Sequence, residues 1–187
     1  MDRRELIKMI TLATGAVFIG GGLLTGCKPE ARLGGATFSE DDILFLDEVA
    51  DTILPATKTP GAREARVGAF MQVMVNDTYE LKDQEIFHKG IAQLNDACKK
   101  TTKKSFMEAD ATERTALLIG LDTEAKAYEK AKKEKDPHHY FTMMKQLSLF
   151  GFFTSEVGAT QALRYKAVPG RYDGNVPYQK GDKAWAT

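Results

Sequence analysis

The stretch that most limits the fold runs from Asp136 to Phe153. Phe141, Met144, Leu147 and Phe150 recur at helical spacing, while Met143, Leu149, Phe152 and Phe153 occupy much of the remaining circumference. A helix that is apolar nearly all round belongs inside a protein, with other elements around it. Asp136 can act as its N-cap and Pro137 can take the first helical position, where the missing N–H costs nothing. Gly151 and Gly158 leave room for a closely packed neighbour. This segment is expected to be the central helix of the domain.

The residues before it supply the surrounding layer. Ser39-Glu-Asp-Asp42 is a capping-box pattern, followed by Ile43, Leu46, Ala50 and Ile53, with Leu44 and Leu54 widening the stripe. Pro55 and the Thr59-Pro60-Gly61 turn end that helix. A second is predicted over about 64–76 on Val67, Phe70, Met71, Met74 and Val75, and a third over about 82–100 on Phe87, Ile91, Leu94 and Cys98. Phe106 is expected to tuck in from the following loop. Asp110-Ala-Thr-Glu113 repeats the cap signature and opens a helix to about Lys135 through Leu117, Leu121 and Tyr128. No alternating run is long enough to argue a sheet. The fold class is all-α, a single compact helical domain over residues 39–162.

Residues 163–187 change character. Arg164, Tyr165, Pro169, Gly170, Arg171, Tyr172, Tyr178 and Trp185 lie in a glycine- and proline-rich run with five basic residues against two acidic ones. Disordered tails are poor in aromatics, whereas Tyr, Trp and Arg are enriched in interface anchors. These eight residues are therefore the candidate partner interface of an extended C-terminal tail. The tail either wraps its own domain or is ordered by another protein, and a Glu156–arginine bridge is expected to fix its departure. Pro169-Gly170 predicts a sharp turn.

The beginning of the chain reads as targeting rather than fold. A charged head is followed by a short apolar stretch, Ala13 to Leu24, broken by Gly15 and Gly20 to Gly22. Arg3, Arg4, Leu6, Ile7 and Lys8 resemble a twin-arginine export signal, which carries proteins already folded; the alternative is an ordinary basic n-region. Leu24, Thr25, Gly26 and Cys27 resemble a lipobox, in which small residues fit the peptidase cleft and the Cys27 thiol carries the lipid; the alternative is an uncleaved N-terminal helix. The expected organisation is a signal peptide over 1–26, a tether over 27–38, the helical domain, and the tail. The protein is expected on the periplasmic side, held to the membrane through its lipid anchor.

Asp51-Thr-Ile-Leu-Pro-Ala-Thr-Lys-Thr-Pro-Gly-Ala62, the block from Phe150 to Tyr165, and Val168-Pro-Gly-Arg-Tyr-Asp-Gly174 together resemble the gluconate 2-dehydrogenase subunit 3 family. The resemblance extends over essentially the whole domain. It implies the small subunit of a membrane-associated sugar or sugar-acid dehydrogenase. The large subunit is then a flavoprotein of the glucose-methanol-choline type carrying FAD, and a multihaem cytochrome c often completes the complex. It also implies that the small subunit brings the export signal for the folded flavoprotein and stabilises it.

The residues themselves offer little chemistry. There is no dinucleotide-binding glycine fingerprint after a strand and no Cys-x-x-Cys-His for covalent haem, so no cofactor is expected in this chain. His138 and His139 are adjacent and diverge on a helix, and His88 lacks a carboxylate or cysteine at ligand spacing, so neither a metal nor a catalytic residue is expected. The 26 basic and 26 acidic residues balance, without the basic footprint of a nucleic-acid binder. With Cys27 committed to lipid, Cys98 is the other cysteine and is read as a buried thiol. The expected function is a non-catalytic accessory subunit. The rival is an independent lipoprotein module that binds a small sugar or acid through Tyr165, Arg171 and Tyr172; an enzyme comes third.

Overall fold

A computed structural model describes residues 37–186. Five α-helices make up its body: α1 (Glu40–Ile53), α2 (Val67–Thr78), α3 (Leu81–Thr102), α4 (Ala111–Ala131) and α5 (Tyr140–Thr154). A π-helical turn (Gly158–Ala162) follows, then two short strands, β1 (Arg164–Tyr165) and β2 (Trp185–Ala186). The fold is all-α apart from that two-residue ladder.

The helix starts follow the capping chemistry. Ser39 Oγ accepts the Asp42 N–H at 3.1 Å, and the Asp42 carboxylate accepts the Ser39 N–H at 2.9 Å. Asp110 and Glu113 do the same for α4, with three bonds at 2.9 Å. Each box satisfies backbone donors that a helix start leaves open. α2 begins at Val67 rather than near Glu64, because Arg66 sits in the left-handed region at φ 54° and the helix cannot extend back through it.

α5 is the central helix and touches each of the other four. Its start differs from the sequence expectation. His139, not Asp136, is the N-cap, its Nδ1 accepting the Phe141 N–H at 3.2 Å. The Asp136 carboxylate is already taken, closing a turn on the Lys133 N–H at 2.8 Å after α4 has ended at Ala131. Glu129 staples the two helices by accepting the His139 N–H at 2.9 Å and pairing with His138 Nδ1 at 3.0 Å. Pro137 therefore lies in the connection, not in the helix.

Phe87, Phe106, Phe141, Leu46, Met71, Leu94 and Met144 fill the core without exposure. The α3 stripe is buried as read, Cys98 included. On α1 the buried set is Phe45, Leu46, Val49 and Ala50, while Leu44 faces solvent. α1 packs against α2, α4 and α5 together, so its buried face is wider than the expected stripe: Phe45 and Val49 join Leu46 and Ala50, with Ile43, Ile53 and Leu54 packed at its edge. On α4 the buried residues are Leu118, Leu121 and Ala125, while Tyr128 is 38% exposed and its hydroxyl donates to the Pro137 carbonyl at 3.1 Å.

Polar contacts lock these layers. Glu48 is shared by Arg63 and by Arg114 of α4. Arg114 Nε and Nη2 also donate to the carbonyls of Phe106 and Met107 at 2.8 Å, and its guanidinium lies 5.5 Å from the Phe106 ring centre. At Gly68, α2 meets α1 so closely that a Cβ would lie 2.4 Å from the Ile43 carbonyl oxygen. The Gly68 N–H donates to Asp47 Oδ1 at 2.6 Å. Burial raises the Asp47 carboxyl above its ordinary value, against the lowering effect of that bond and of nearby Arg63 and Arg66.

Candidate functional site

The interface residues predicted from the sequence come together at one end of the chain, and the structure divides them into two groups. Arg164 and Trp185 form the first. Their strands pair in parallel, with the Arg164 N–H donating to the Ala184 carbonyl at 2.8 Å and the Lys166 N–H to the Ala186 carbonyl at 2.9 Å. The Arg164 guanidinium stacks over the Trp185 indole, 4.1 Å from the ring centre, and its Nε donates to the Lys183 carbonyl at 3.1 Å. The Lys183 ammonium in turn donates to the Gln161 carbonyl. Arg164 thus pairs with the chain end and not with Glu156. Glu156 is exposed and makes no ion pair among the described residues, which corrects the expected bridge. Its position at the solvent side of the α5 exit removes the need for a partner.

The second group stands in water. Every residue from Tyr165 to Trp185 is exposed; Tyr172 is 96% and Tyr178 76% accessible. No described residue beyond Ala162 joins the hydrophobic core. Gly170 takes φ +81°, the left-handed conformation open to glycine, but no hydrogen-bonded turn forms at Pro169-Gly170, where the sequence predicts a sharp one. Asp173 accepts the Asn175 N–H at 3.1 Å, and Asp182 accepts the Gln179 N–H at 2.9 Å, so two local turns shape the loop. Arg171 reaches Asp173 at 3.7 Å with both side chains solvated.

A second surface was not legible as such. Leu149, Phe150 and Phe153 on α5 and Val73 on α2 are exposed, Phe150 and Val73 by half or slightly more. Phe150 packs edge-on against Phe70 at 5.6 Å. Phe150 was expected in the central stripe; the layer of helices leaves that side of α5 uncovered. The apolar pattern alone could not separate this face from core, because both require the same residue types.

A cleft of about 520 Å³ between α3, α4 and α5 gathers Gln93, Glu124, Tyr128, His138 and His139. His139 Nε2 is 4.0 Å from Glu124, and both histidine rings are engaged in joining α4 to α5. Tyr140, at its edge, has its hydroxyl pushed up to about 12 by burial and by Glu124. Among the described residues no three His, Cys, Asp or Glu side chains converge on a metal-sized site, and no helix is long and apolar enough to cross a membrane. Arg3, Arg4, Leu6, Ile7, Lys8, Leu24, Thr25, Gly26 and Cys27 lie outside the described residues.

With the geometry in view, a family model described as gluconate 2-dehydrogenase subunit 3 matches residues 40–170. The chain belongs to this family. The match takes in all five helices and the outgoing limb of the loop as far as Gly170, leaving Arg171 to Ala186 beyond it. Membership makes the protein an accessory subunit that partners with a larger dehydrogenase complex. No curated protein and no solved structure gives a significant match.

Proposed function

We propose that this protein is the non-catalytic small subunit of a membrane-anchored, FAD-dependent sugar or sugar-acid dehydrogenase on the periplasmic side. In this reading it is exported folded through the Arg3-Arg4 signal and tethered by lipid on Cys27. Its large partner is a flavoprotein of the glucose-methanol-choline type, and a multihaem cytochrome c completes the complex. The observation that carries the reading is the surface of the subunit: an aromatic loop wholly in solvent, and an uncovered apolar face on α2 and α5. Aromatic groups on this scale belong in contacts with another protein rather than in water. Tyr165, Pro169, Gly170, Arg171, Tyr172 and Tyr178 are the contact residues, with Arg164 and Trp185 beneath them. The rival reading as a sugar- or acid-binding module needs an enclosed pocket around Tyr165, Arg171 and Tyr172. Tyr172 and the Arg171 side chain instead project into solvent.

Purification from membranes through a tag on this chain tests the proposal. A large flavoprotein should co-purify, with a flavin spectrum and the absorption bands of c-type haem. Recovery of this chain alone, holding stoichiometric flavin, would overturn it. For the anchor, mass spectrometry of the N-terminus should find lipid on Cys27, and an unmodified start elsewhere would remove the lipoprotein part. Arg3→Lys with Arg4→Lys should retain both subunits in the cytoplasm.

A further inference from the structure

Residues 166–184 form a loop whose two ends are joined before any partner arrives. The join uses five contacts at one place: two backbone bonds of the parallel ladder, the Arg164 Nε bond to Lys183, the Arg164–Trp185 stack, and the Lys183 bond to Gln161. Beyond it the loop makes only local turns, and its residues are all exposed. The returning limb stands off the join across a cleft of about 500 Å³ lined by Arg164, Val176, Pro177, Tyr178 and Trp185. A loop that packed on its own domain would show buried aromatics; this one is held open.

We propose that the Arg164–Trp185 pair is a clasp that presents the 166–184 loop, already closed, to an apolar depression fringed by carboxylates on the larger dehydrogenase subunit. This rests on the accessory-subunit reading and deepens it. A loose tail must lose conformational freedom on docking, and joining its ends beforehand removes part of that cost. Arg164 and Trp185 are therefore positioning residues, while Tyr172, Val176 and Tyr178 make the contact.

Charge selects the occupant. Arg164, Lys166, Arg171, Lys180 and Lys183 face Asp173 and Asp182 alone, and both of those acids are engaged in the loop's own turns. A partner surface with carboxylates answers that excess. A second copy of this chain would bring the same cationic loop against itself. An anionic lipid surface shares the sign, but a closed loop with a stand-off cleft suits a shaped protein surface better than a plane of headgroups.

The test uses the full processed chain and the purified large subunit, with association and dissociation followed on a biosensor. Trp185→Ala and Arg164→Gln should each weaken binding about tenfold, chiefly by slowing association, with the melting temperature of the chain unchanged. Arg164 and Trp185 are direct partners in the ladder, within the Cα spacing a disulfide spans. The double variant Arg164→Cys with Trp185→Cys should bind like wild type when oxidised and about tenfold more weakly when reduced. Failure of the oxidised form to recover binding would make the two side chains contacts and overturn the clasp. If Tyr172→Ala weakens binding while both clasp variants do not, this inference falls and the accessory reading stands. If truncation after Leu163 leaves the complex intact, the loop has no part in it and the docking reading falls as well. In the chain freed of its lipid, binding to phosphatidylglycerol vesicles that is lost in Trp185→Ala while binding to the large subunit persists would assign the loop to the membrane instead.

Discussion

Phe141 in α5 and Tyr172 in the C-terminal loop carry rings of similar size, yet one is 1% exposed and the other 96%. Phe141 is surrounded by residues from several helices brought there by their own apolar faces. Tyr172 has chain neighbours with turn chemistry but no second layer. Apolar content alone therefore does not decide burial in this molecule. What decides it is whether another apolar element of the same chain arrives to cover the ring, and beyond Ala162 no described residue joins the hydrophobic core. The body is stabilised by packing, the loop by a few polar contacts at its base.

The contrast can be attacked from the body first. Phe141→Ala should cost about 3–5 kcal/mol, the range for emptying a buried phenylalanine site, read as a large drop in melting temperature. A loss near that of a surface substitution would mean α5 is not the central helix. Gly68→Ala comes next at about 1–3 kcal/mol, since the new methyl meets the Ile43 carbonyl, which belongs to backbone and cannot swing away. Asp110→Ala should remove about 1 kcal/mol by uncapping α4, with Asp110→Asn close to neutral in a chemical denaturation series.

A pH titration sharpens the same point. Asp122 is held below its ordinary 3.8 by hydrogen bonds from Lys126 and Lys145. Burial pushes Glu129 up, but the His139 N–H, His138 and Lys132 outweigh it and leave it below 4.5. With folded values lowered, the unfolded chain binds protons first as the pH falls. The contribution of these two groups is thus full above about pH 4.5 and drains away through the folded values below it. Asp122→Asn should flatten the acid limb of the melting curve, and an unchanged limb would count against the α4–α5 pair. The smallest stability effect belongs to the loop. Arg171→Ala with Tyr172→Ala should move the isolated chain by less than about 0.5 kcal/mol, while weakening the large-subunit complex tenfold or more, about 1.4 kcal/mol. Unfolding of the isolated double variant with binding intact would erase the distinction between body and loop.

How much of this could be read in the sequence depends on how local the cause is. The Ser39 and Asp110 boxes and the α3 stripe rest on residues within a few positions of one another, and they lie where the pattern puts them. The wider face of α1 and the start of α5 do not. Phe45 and Val49 are buried because three other helices meet α1, and His139 caps α5 because Asp136 is committed to the Lys133 N–H while Glu129 of α4 holds the His139 backbone in place. The ladder between Arg164 and Trp185 spans too few residues to leave an alternating pattern. Phe150 and Phe153 look like core in the sequence because an exposed apolar face uses the same side chains as a buried one. The export and lipid signals lie outside the described residues.

The ladder at the base of the loop has an evolutionary consequence. Once two ends are joined, the entropy of the closed segment grows slowly, about 0.6 kcal/mol for each doubling of its length. Residues can then be inserted, deleted or exchanged between Lys166 and Ala184 while the helices keep their packing. The family match ends at Gly170, inside this segment. Beyond Gly174 the segment can therefore change length at little cost, because the join at its base, and not its contour, connects it to the helical body.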